Sequence, residues 1–131
     1  MPLGTYLYTY NAFADEGFTD NDPQVYSPQF GDIWVYSVEI IIPSGHRGLT
    51  GIAIANSGGQ LVPYAQEPTF LIGDDDRLEY DIGVEVDTGF QVLVYNTDVY
   101  PHTFYLRFAG LPMALYNQSA SSAPVPILAV S

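Results

Sequence analysis

IWVYSVEIII, residues 33–42, is the stretch of this sequence that decides the fold. It consists mainly of β-branched and aromatic residues and is stopped by Pro43-Ser44-Gly45, which is the pattern of a β-strand ending in a turn. Aliphatic residues surround Glu39, so we expect a central strand that is covered on at least one face. Because side chains alternate between the two faces of a strand, we expect Glu39 on the solvent side.

Shorter segments of the same kind lie on both sides of this strand. The 12 Gly and 10 Pro residues recur too often to leave a clear amphipathic helix of ~11 residues. Strands are predicted for residues 3–10, 33–42, 49–55, 60–65, 69–72, 77–82, 90–96 and 102–108. Seven to eight short strands indicate an all-β, single-domain antiparallel β-sandwich that is jelly-roll-like.

The length of 131 residues is typical of one domain. We expect the sandwich to span residues 1–110, with an N-terminal strand at 3–10 and a long polar loop at 11–31. From residue 111 the composition changes and ends in the Ser/Ala/Pro-rich segment SASSAPVPILAVS, residues 119–131. Proline blocks both helices and strand ladders, so residues 111–131 are predicted to be an extended tail.

Charge and cysteine content exclude several classes of function. The 3 Lys and Arg residues against 15 Asp and Glu residues give a net charge of −12, which opposes binding to nucleic acid or to an anionic membrane. The chain has no Cys, so it has no disulfide, thiolate zinc site or cysteine nucleophile. It also has no Sec-type signal pattern and no apolar run of the ~20 residues that a transmembrane helix needs. We therefore expect no membrane association.

Catalytic motifs are not apparent. The two histidines, His46 and His102, lack an accompanying G-x-S-x-G elbow, and loop polarity accounts for them. Glu39, Glu85 and Asp87 are candidates for a glycosidase carboxylate pair, but any acidic sandwich would offer such residues. We therefore predict a protein that is not an enzyme and has no cofactor.

The run Asp74-Asp75-Asp76 has two interpretations. Clustered carboxylates can hold calcium, although this run lacks the D-x-D-x-D-G spacing of an EF-hand. Alternatively, the run forms a solvated turn in which Asp side chains accept hydrogen bonds from backbone N–H groups. The turn is the favoured interpretation, and Asp74, Asp75 and Asp76 remain candidate calcium ligands.

Aromatic residues are abundant, with 11 Tyr, 7 Phe and 1 Trp. Tyrosine is common both in cross-strand packing and in the centres of protein interfaces. We expect the N-terminal strand and the C-terminal tail to contact neighbouring subunits. The candidate contact residues are Tyr6, Tyr8, Tyr10, Pro124, Val125, Pro126, Ile127 and Leu128.

Four short motifs are IPSGHRGLTGI at residues 42–52, Pro63-Tyr64, Gly73-Asp74-Asp75 and YPHTF at residues 100–104. Together they resemble small jelly-roll virion proteins of tailed bacteriophages. The resemblance covers about residues 34–108 and implies a role in head decoration, in a connector or in a tail-associated assembly. It implies no catalytic residues.

The leading hypothesis is therefore a non-enzymatic structural protein of a phage virion. It would bind other virion proteins and itself, with a trimer favoured over another ring. The alternative is a carbohydrate-binding β-sandwich in which exposed aromatics such as Tyr64 stack on sugars. Calcium held by the Asp74 loop is an optional part of this alternative. A third hypothesis, a small glycan hydrolase, lacks a convincing carboxylate pair.

Overall fold

The computed structural model describes residues 5–64, 69–86 and 89–122, with the side chains described up to residue 117. Within these residues the chain forms eight strands and one helix. The elements are β1 (Tyr6–Ala14), β2 (Gln24–Tyr26), β3 (Ile33–Ile42), β4 (Thr50–Asn56), β5 (Gly59–Val62), β6 (Asp76–Glu85), β7 (Gln91–Asn96), β8 (His102–Pro112) and α1 (Met113–Ser122). The helix is too short to cross a membrane, and no described helix is long and apolar enough to do so.

The strands form two four-stranded sheets, with the orders β1-β8-β3-β6 and β2-β7-β4-β5. All the paired strands are antiparallel. Only the β4–β5 connection stays within one sheet, and every other connection crosses to the opposite sheet. This is the arrangement of a jelly roll. The prediction of an all-β antiparallel sandwich with a jelly-roll-like topology is confirmed.

Strand β3 lies centrally, between β8 and β6, as its sequence predicts. Its buried residues are Ile33, Val35, Val38, Ile40 and Ile42, and they face the opposite sheet. The change from odd to even numbers occurs at a β-bulge between Val35 and Ser37. An extra residue in the strand shifts the alternation by one, so both halves keep their aliphatic side chains in the core.

The core lies between the two sheets and is built from the inward faces of the strands. Its largest buried side chains are those of Phe90, Phe104 and Phe108. Burying one such side chain contributes about 1.5–3 kcal/mol. Part of the aromatic content of the sequence is therefore buried in this core.

The N-terminal region differs from the expectation. Strand β1 covers residues 6–14 and so continues past the end predicted at residue 10, whereas residues 3 and 4 lie outside the described residues. The predicted long loop at 11–31 contains the end of β1 and the short strand β2. The acidic and proline residues of this region concealed the pattern of β2, which is only three residues long. Predicted strand 69–72 is reduced to a single bridge between Leu71 and Ile52.

The C-terminal region also differs from the extended tail predicted for residues 111–131. Strand β8 continues to Pro112, and α1 occupies residues 113–122. The helix was not predicted because it is short and weakly amphipathic, and its contact with the sheet is tertiary: the ring of Tyr116 stacks on Trp34 at 4.4 Å between centroids. Residues 123–131, which include the two blocking prolines, lie outside the described residues. The division of the chain at residue 110 stays a prediction.

Candidate functional site

A polar cluster closes one end of the sandwich. We call it the histidine cluster and define it as His46, Thr50, Asp98, His102 and the guanidinium of Arg47. The β3–β4 loop and the start of β4 contribute His46, Arg47 and Thr50, whereas the β7–β8 loop and the start of β8 contribute Asp98 and His102. Connections from both sheets therefore meet here.

His46 is the buried centre of the histidine cluster, with 1% of its surface exposed. Its Nδ1 atom lies 2.7 Å from the hydroxyl of Thr50, and its Nε2 atom lies 3.1 Å from the carbonyl oxygen of Thr103. Because a carbonyl can only accept, Nε2 carries the proton, and the neutral ring accepts the Thr50 hydroxyl at Nδ1. Burial lowers the pKa of His46, and the neighbouring His102 lowers that pKa further.

Asp98 holds the second histidine. Its carboxylate lies 2.8 Å from Nε2 of His102, accepts the N–H of Val99 at 2.7 Å and lies 3.3 Å from the guanidinium of Arg47. These contacts lower the pKa of Asp98, with the His102 hydrogen bond as the largest cause. The two imidazole rings lie 4.5 Å apart between centroids. The carboxylate thus joins the two loops.

The geometry of the histidine cluster favours a structural role. The Thr50–His46 distance would suit a nucleophile and its base, but Thr50 is fully buried and its hydroxyl cannot meet a substrate. Loop polarity, which the sequence offered as the account of both histidines, does not describe them: His46 is core and His102 is mostly buried. A histidine in each of two loops gave no signal that they would be neighbours.

The Asp74 loop is tied to the same end of the molecule. One carboxylate oxygen of Asp74 accepts the N–H groups of Gly45 at 2.8 Å and Arg47 at 3.0 Å. These bonds, the one from Arg47 first, lower the pKa of Asp74. An oxygen of Asp76 accepts the N–H of Asp74 at 3.0 Å, and Asp75 adopts a left-handed backbone with φ of 54°. The loop has the turn chemistry that the sequence favoured.

The structure gives the calcium interpretation of Asp74, Asp75 and Asp76 no additional ligands. Among the described residues, no group of three or more His, Cys, Asp or Glu side chains is placed to hold a metal ion. Asp74 and Asp76 each direct an oxygen to the backbone instead. Calcium binding by this loop stays a prediction.

The predicted contact tyrosines lie on β1, but they do not share one environment. Tyr8 and Tyr10 are half-buried and their rings pack near Phe30, at 5.6 and 6.4 Å between centroids. Tyr6 is 50% exposed. Leu7 and Phe13 point outward from the same strand and were not among the predicted contact residues. Strand alternation carries that signal, once the buried Ala12 and Ala14 identify the inward face.

The other five predicted contact residues belong to the C-terminal segment. Pro124, Val125, Pro126, Ile127 and Leu128 lie outside the described residues. Their role in assembly stays a prediction.

The outer face of the β1-β8-β3-β6 sheet carries a second charged group. Glu39 lies there, as predicted, 3.4 Å from a guanidinium nitrogen of Arg107 and 3.6 Å from one of Arg77. Since Arg47 is paired with Asp98, every Lys or Arg residue of this chain has a carboxylate neighbour. The few cations of the chain are therefore partly neutralised by its own acids.

An open cleft of about 580 Å³ lies beside the loop that precedes β3. Its lining comprises Ser27, Pro28, Gln29, Gly31, Asp32, Glu85, Val86 and Phe90. Three carboxylates were considered for a glycosidase pair. Glu85 lines this cleft, Glu39 lies beside Arg77 and Arg107 on the outer face of the sheet, and Asp87 lies outside the described residues. The carbohydrate-binding and hydrolase hypotheses stay predictions.

Comparison with known proteins supports the fold. No protein-family model and no curated protein matches this sequence. Among solved structures, a chain from the X-ray crystal structure of tomato aspermy virus is similar, with a TM-score of 0.54 and 12% sequence identity. The match covers 85% of this chain and 79% of that chain. At such low identity the likeness is one of fold, and the two chains share a β-sandwich.

Proposed function

We propose that this chain is a non-enzymatic structural protein of a virus particle and binds neighbouring subunits there. The observation that carries the proposal is the jelly-roll arrangement of two four-stranded sheets, which matches a chain of a virus structure over most of both chains. Jelly rolls are frequent in viral shells, although they also occur in lectins and enzymes.

Within this proposal, the particle is that of a tailed bacteriophage and the role is head decoration, connector or tail-associated assembly. The support is the sequence resemblance. Two of the motifs that carry it come together in the fold, because His46 of the first motif contacts Thr103 and His102 of the last. They build one closed end of the sandwich, as parts of a rigid scaffold would.

The proposed partners are other virion proteins and further copies of the chain, with a trimer favoured. The support is chemical: the described surface exposes apolar side chains that include Val99 and Tyr100 on the β7–β8 loop and Leu7 and Phe13 on β1. Clusters of exposed apolar residues are typical of surfaces that contact other proteins.

The test is incorporation of a truncated chain. The full chain and a variant lacking Ala120 to Ser131 are each produced with the same tag in cells that assemble the particle, and their amounts in purified particles are measured by quantitative mass spectrometry. We expect the full chain in the particle and a reduced amount of the truncated one. Thermal unfolding of both isolated chains provides the control, because β1 to β8 are complete in each.

Three results would contradict parts of this proposal. A full chain absent from purified particles would exclude the structural role, and unchanged incorporation of the truncated chain would exclude the tail as a contact. Sugar-specific binding on a glycan array that is lost in Tyr64→Ala would favour the carbohydrate-binding alternative.

A further inference from the structure

The free edges of the two sheets are protected to different degrees. Strands β2 and β5 are short edges of three and four residues, and β6 carries five charged residues in the sequence DRLEYDIGVE. Strand β1 is the exception. It is nine residues long and its sequence YLYTYNAFA contains neither a charge nor a proline. Charges, prolines and short length are the usual means of preventing edge-to-edge pairing, and among the described edge strands β1 is the one that has none of them.

The backbone direction of β1 follows from two hydrogen bonds at its end. The carbonyl of Phe13 accepts the hydroxyl of Tyr26 at 2.7 Å, and the N–H of Asp15 donates to Gln24 at 2.8 Å. Neither partner belongs to β8. In an antiparallel strand, alternate residues direct both backbone groups to the same side. The odd-numbered residues Leu7, Thr9 and Asn11 therefore direct their N–H and C=O groups away from β8, toward the open edge.

The side chains of β1 are arranged symmetrically about Tyr10. Leu7 and Phe13 are 60% and 59% exposed, lie three residues on either side of Tyr10 and share the outward face. An antiparallel copy centred on Tyr10 would bring the side chains of Leu7 and Phe13 opposite each other twice, while the Phe13 carbonyl keeps its hydrogen bond from Tyr26 and the backbone exchange falls mainly on Thr9 and Asn11.

The same register suits the remaining positions. Thr9 would meet Asn11 of the second copy, and both have outward-directed backbone groups that can exchange hydrogen bonds. On the inward face, Tyr6 and Tyr8 would lie opposite Ala14 and Ala12, so each of these two large side chains has a small one across from it, and Tyr10 would lie opposite Tyr10 of the second copy. If the register shifted by one residue, backbone groups that point away from β8 would lie opposite groups that point toward β8. The hydrogen bonds between the two copies would then be lost.

We propose that β1 pairs antiparallel with β1 of a second copy of this chain, about a two-fold axis at Tyr10. The pairing joins the two β1-β8-β3-β6 sheets into one continuous sheet. A second copy suits this edge because its β1 is also uncharged. The rest of the chain carries the net charge of −12 and repels other copies, so pairing is favoured at β1. The interface is isologous and closes as a dimer, which can then act as a unit in a larger assembly. It holds whether or not the chain belongs to a particle.

The test uses charge exchange across the proposed axis in the full-length chain. Sedimentation velocity and native mass spectrometry give the dimer dissociation constant of the wild type, Leu7→Lys, Phe13→Glu and the double variant. Each single substitution puts a charge opposite an apolar residue at two symmetric positions, and we expect dimerisation to weaken by roughly tenfold or more. The double variant puts lysine opposite glutamate twice and should regain most of the lost affinity.

The recovery is specific to pairing between copies. Positions 7 and 13 lie about 20 Å apart along one strand at ~3.4 Å per residue, so the introduced charges cannot pair within a chain. Ile72→Lys is the matched control, since Ile72 is 56% exposed on the connection between β5 and β6 and does not belong to β1. Thermal unfolding of each variant checks that the fold is kept.

Each other outcome overturns the proposal. A wild-type chain that stays monomeric at millimolar concentration excludes the pairing. Single variants that dimerise as well as the wild type place any interface elsewhere, and a double variant as weak as the single ones excludes the Tyr10 register. These measurements use the isolated chain, so they are independent of particle incorporation.

Discussion

At the residue scale, the side chain of Asn96 hydrogen-bonds to three backbone groups, and no motif in the sequence indicated these contacts. It is fully buried at the end of β7, where its amide nitrogen donates to the carbonyls of Ala14 at 2.9 Å and Tyr100 at 2.7 Å. Its side-chain oxygen accepts the N–H of Asp98 at 2.8 Å. One amide thus holds the end of β1 and the β7–β8 loop, which carries the carboxylate of the histidine cluster.

We expect Asn96→Ala to lower the free energy of unfolding by about 2–4 kcal/mol, because it leaves buried backbone groups without partners. Urea unfolding followed by far-UV circular dichroism measures the loss. Asn56→Ala is the control, since among the described residues the Asn56 side chain accepts a single exposed hydrogen bond, from the N–H of Gly58. It should cost less than about 1 kcal/mol. Equal losses in the two variants would show that the Asn96 bonds are not the cause.

His46 should make the stability depend on pH. Its pKa is lowered in the folded chain by burial, so the unfolded chain, with a histidine pKa of about 6.5, takes up the proton more readily. The stability that this histidine contributes is complete above about pH 6.5 and is lost as the pH falls from there toward the folded-state pKa. Asp74 and Asp98 also have lowered pKa values, and their contribution is lost only below about pH 4.

The measurement is the urea midpoint of the wild type and of His46→Gln between about pH 7.5 and pH 5. The wild-type midpoint should fall over this range, whereas the variant should change less, because glutamine does not titrate. A decline of the same size in both proteins would assign the pH dependence to other groups.

At the element scale, α1 depends on a contact that its own sequence does not reveal. The rings of Tyr116 and Trp34 stack with an angle of 10° between their planes, and Tyr36 contacts Tyr116 edge-on. A helix of ten residues is marginal in water, so the contact with β3 stabilises it.

Tyr116→Ala should therefore detach α1 while the sandwich stays folded. Because Trp34 is the only tryptophan, its fluorescence reports the change directly. We expect a red-shifted emission as water reaches the indole, and a loss of unfolding free energy of about 1 kcal/mol. Leu115→Ala, at a position 40% exposed on the same helix, is the matched control and should leave the emission unchanged. An unshifted spectrum in Tyr116→Ala would contradict the docking.

At the scale of the whole molecule, the net charge opposes nucleic acid as a partner. The net charge is −12, and the arginines have carboxylate neighbours in Glu39 and Asp98. A surface of this kind has almost nothing with which to neutralise phosphates.

We expect no saturable binding of a fluorescein-labelled single-stranded RNA or DNA at about 50 mM salt, where phosphate contacts are strong. Fluorescence anisotropy measures this. The variant Glu39→Gln, which frees Arg77 and Arg107 from their acid, should behave like the wild type because the overall charge changes by only one. Binding that weakens steeply with salt would contradict the expectation.

The sequence by itself determined the fold class, and the reason is local. In residues 33–42 the β-branched side chains, the alternation and the terminal turn all favour a strand, and the structure has β3 at the same bounds. Charge and the lack of cysteine need no coordinates either. The turn chemistry of Asp74 follows from its residue type, although its partners, Gly45 and Arg47, do not.

The tertiary structure alone decided which distant residues meet and which face each side chain takes. His46 and His102 are far apart in the chain and meet because β3 and β8 pair in one sheet, while the inward face of β1 is set by its register with β8. Sequence patterns report neighbours within a few residues, whereas contacts between strands are fixed by the pairing order of the whole sandwich. For that reason the position of β1 at the edge of its sheet is visible only in the folded chain.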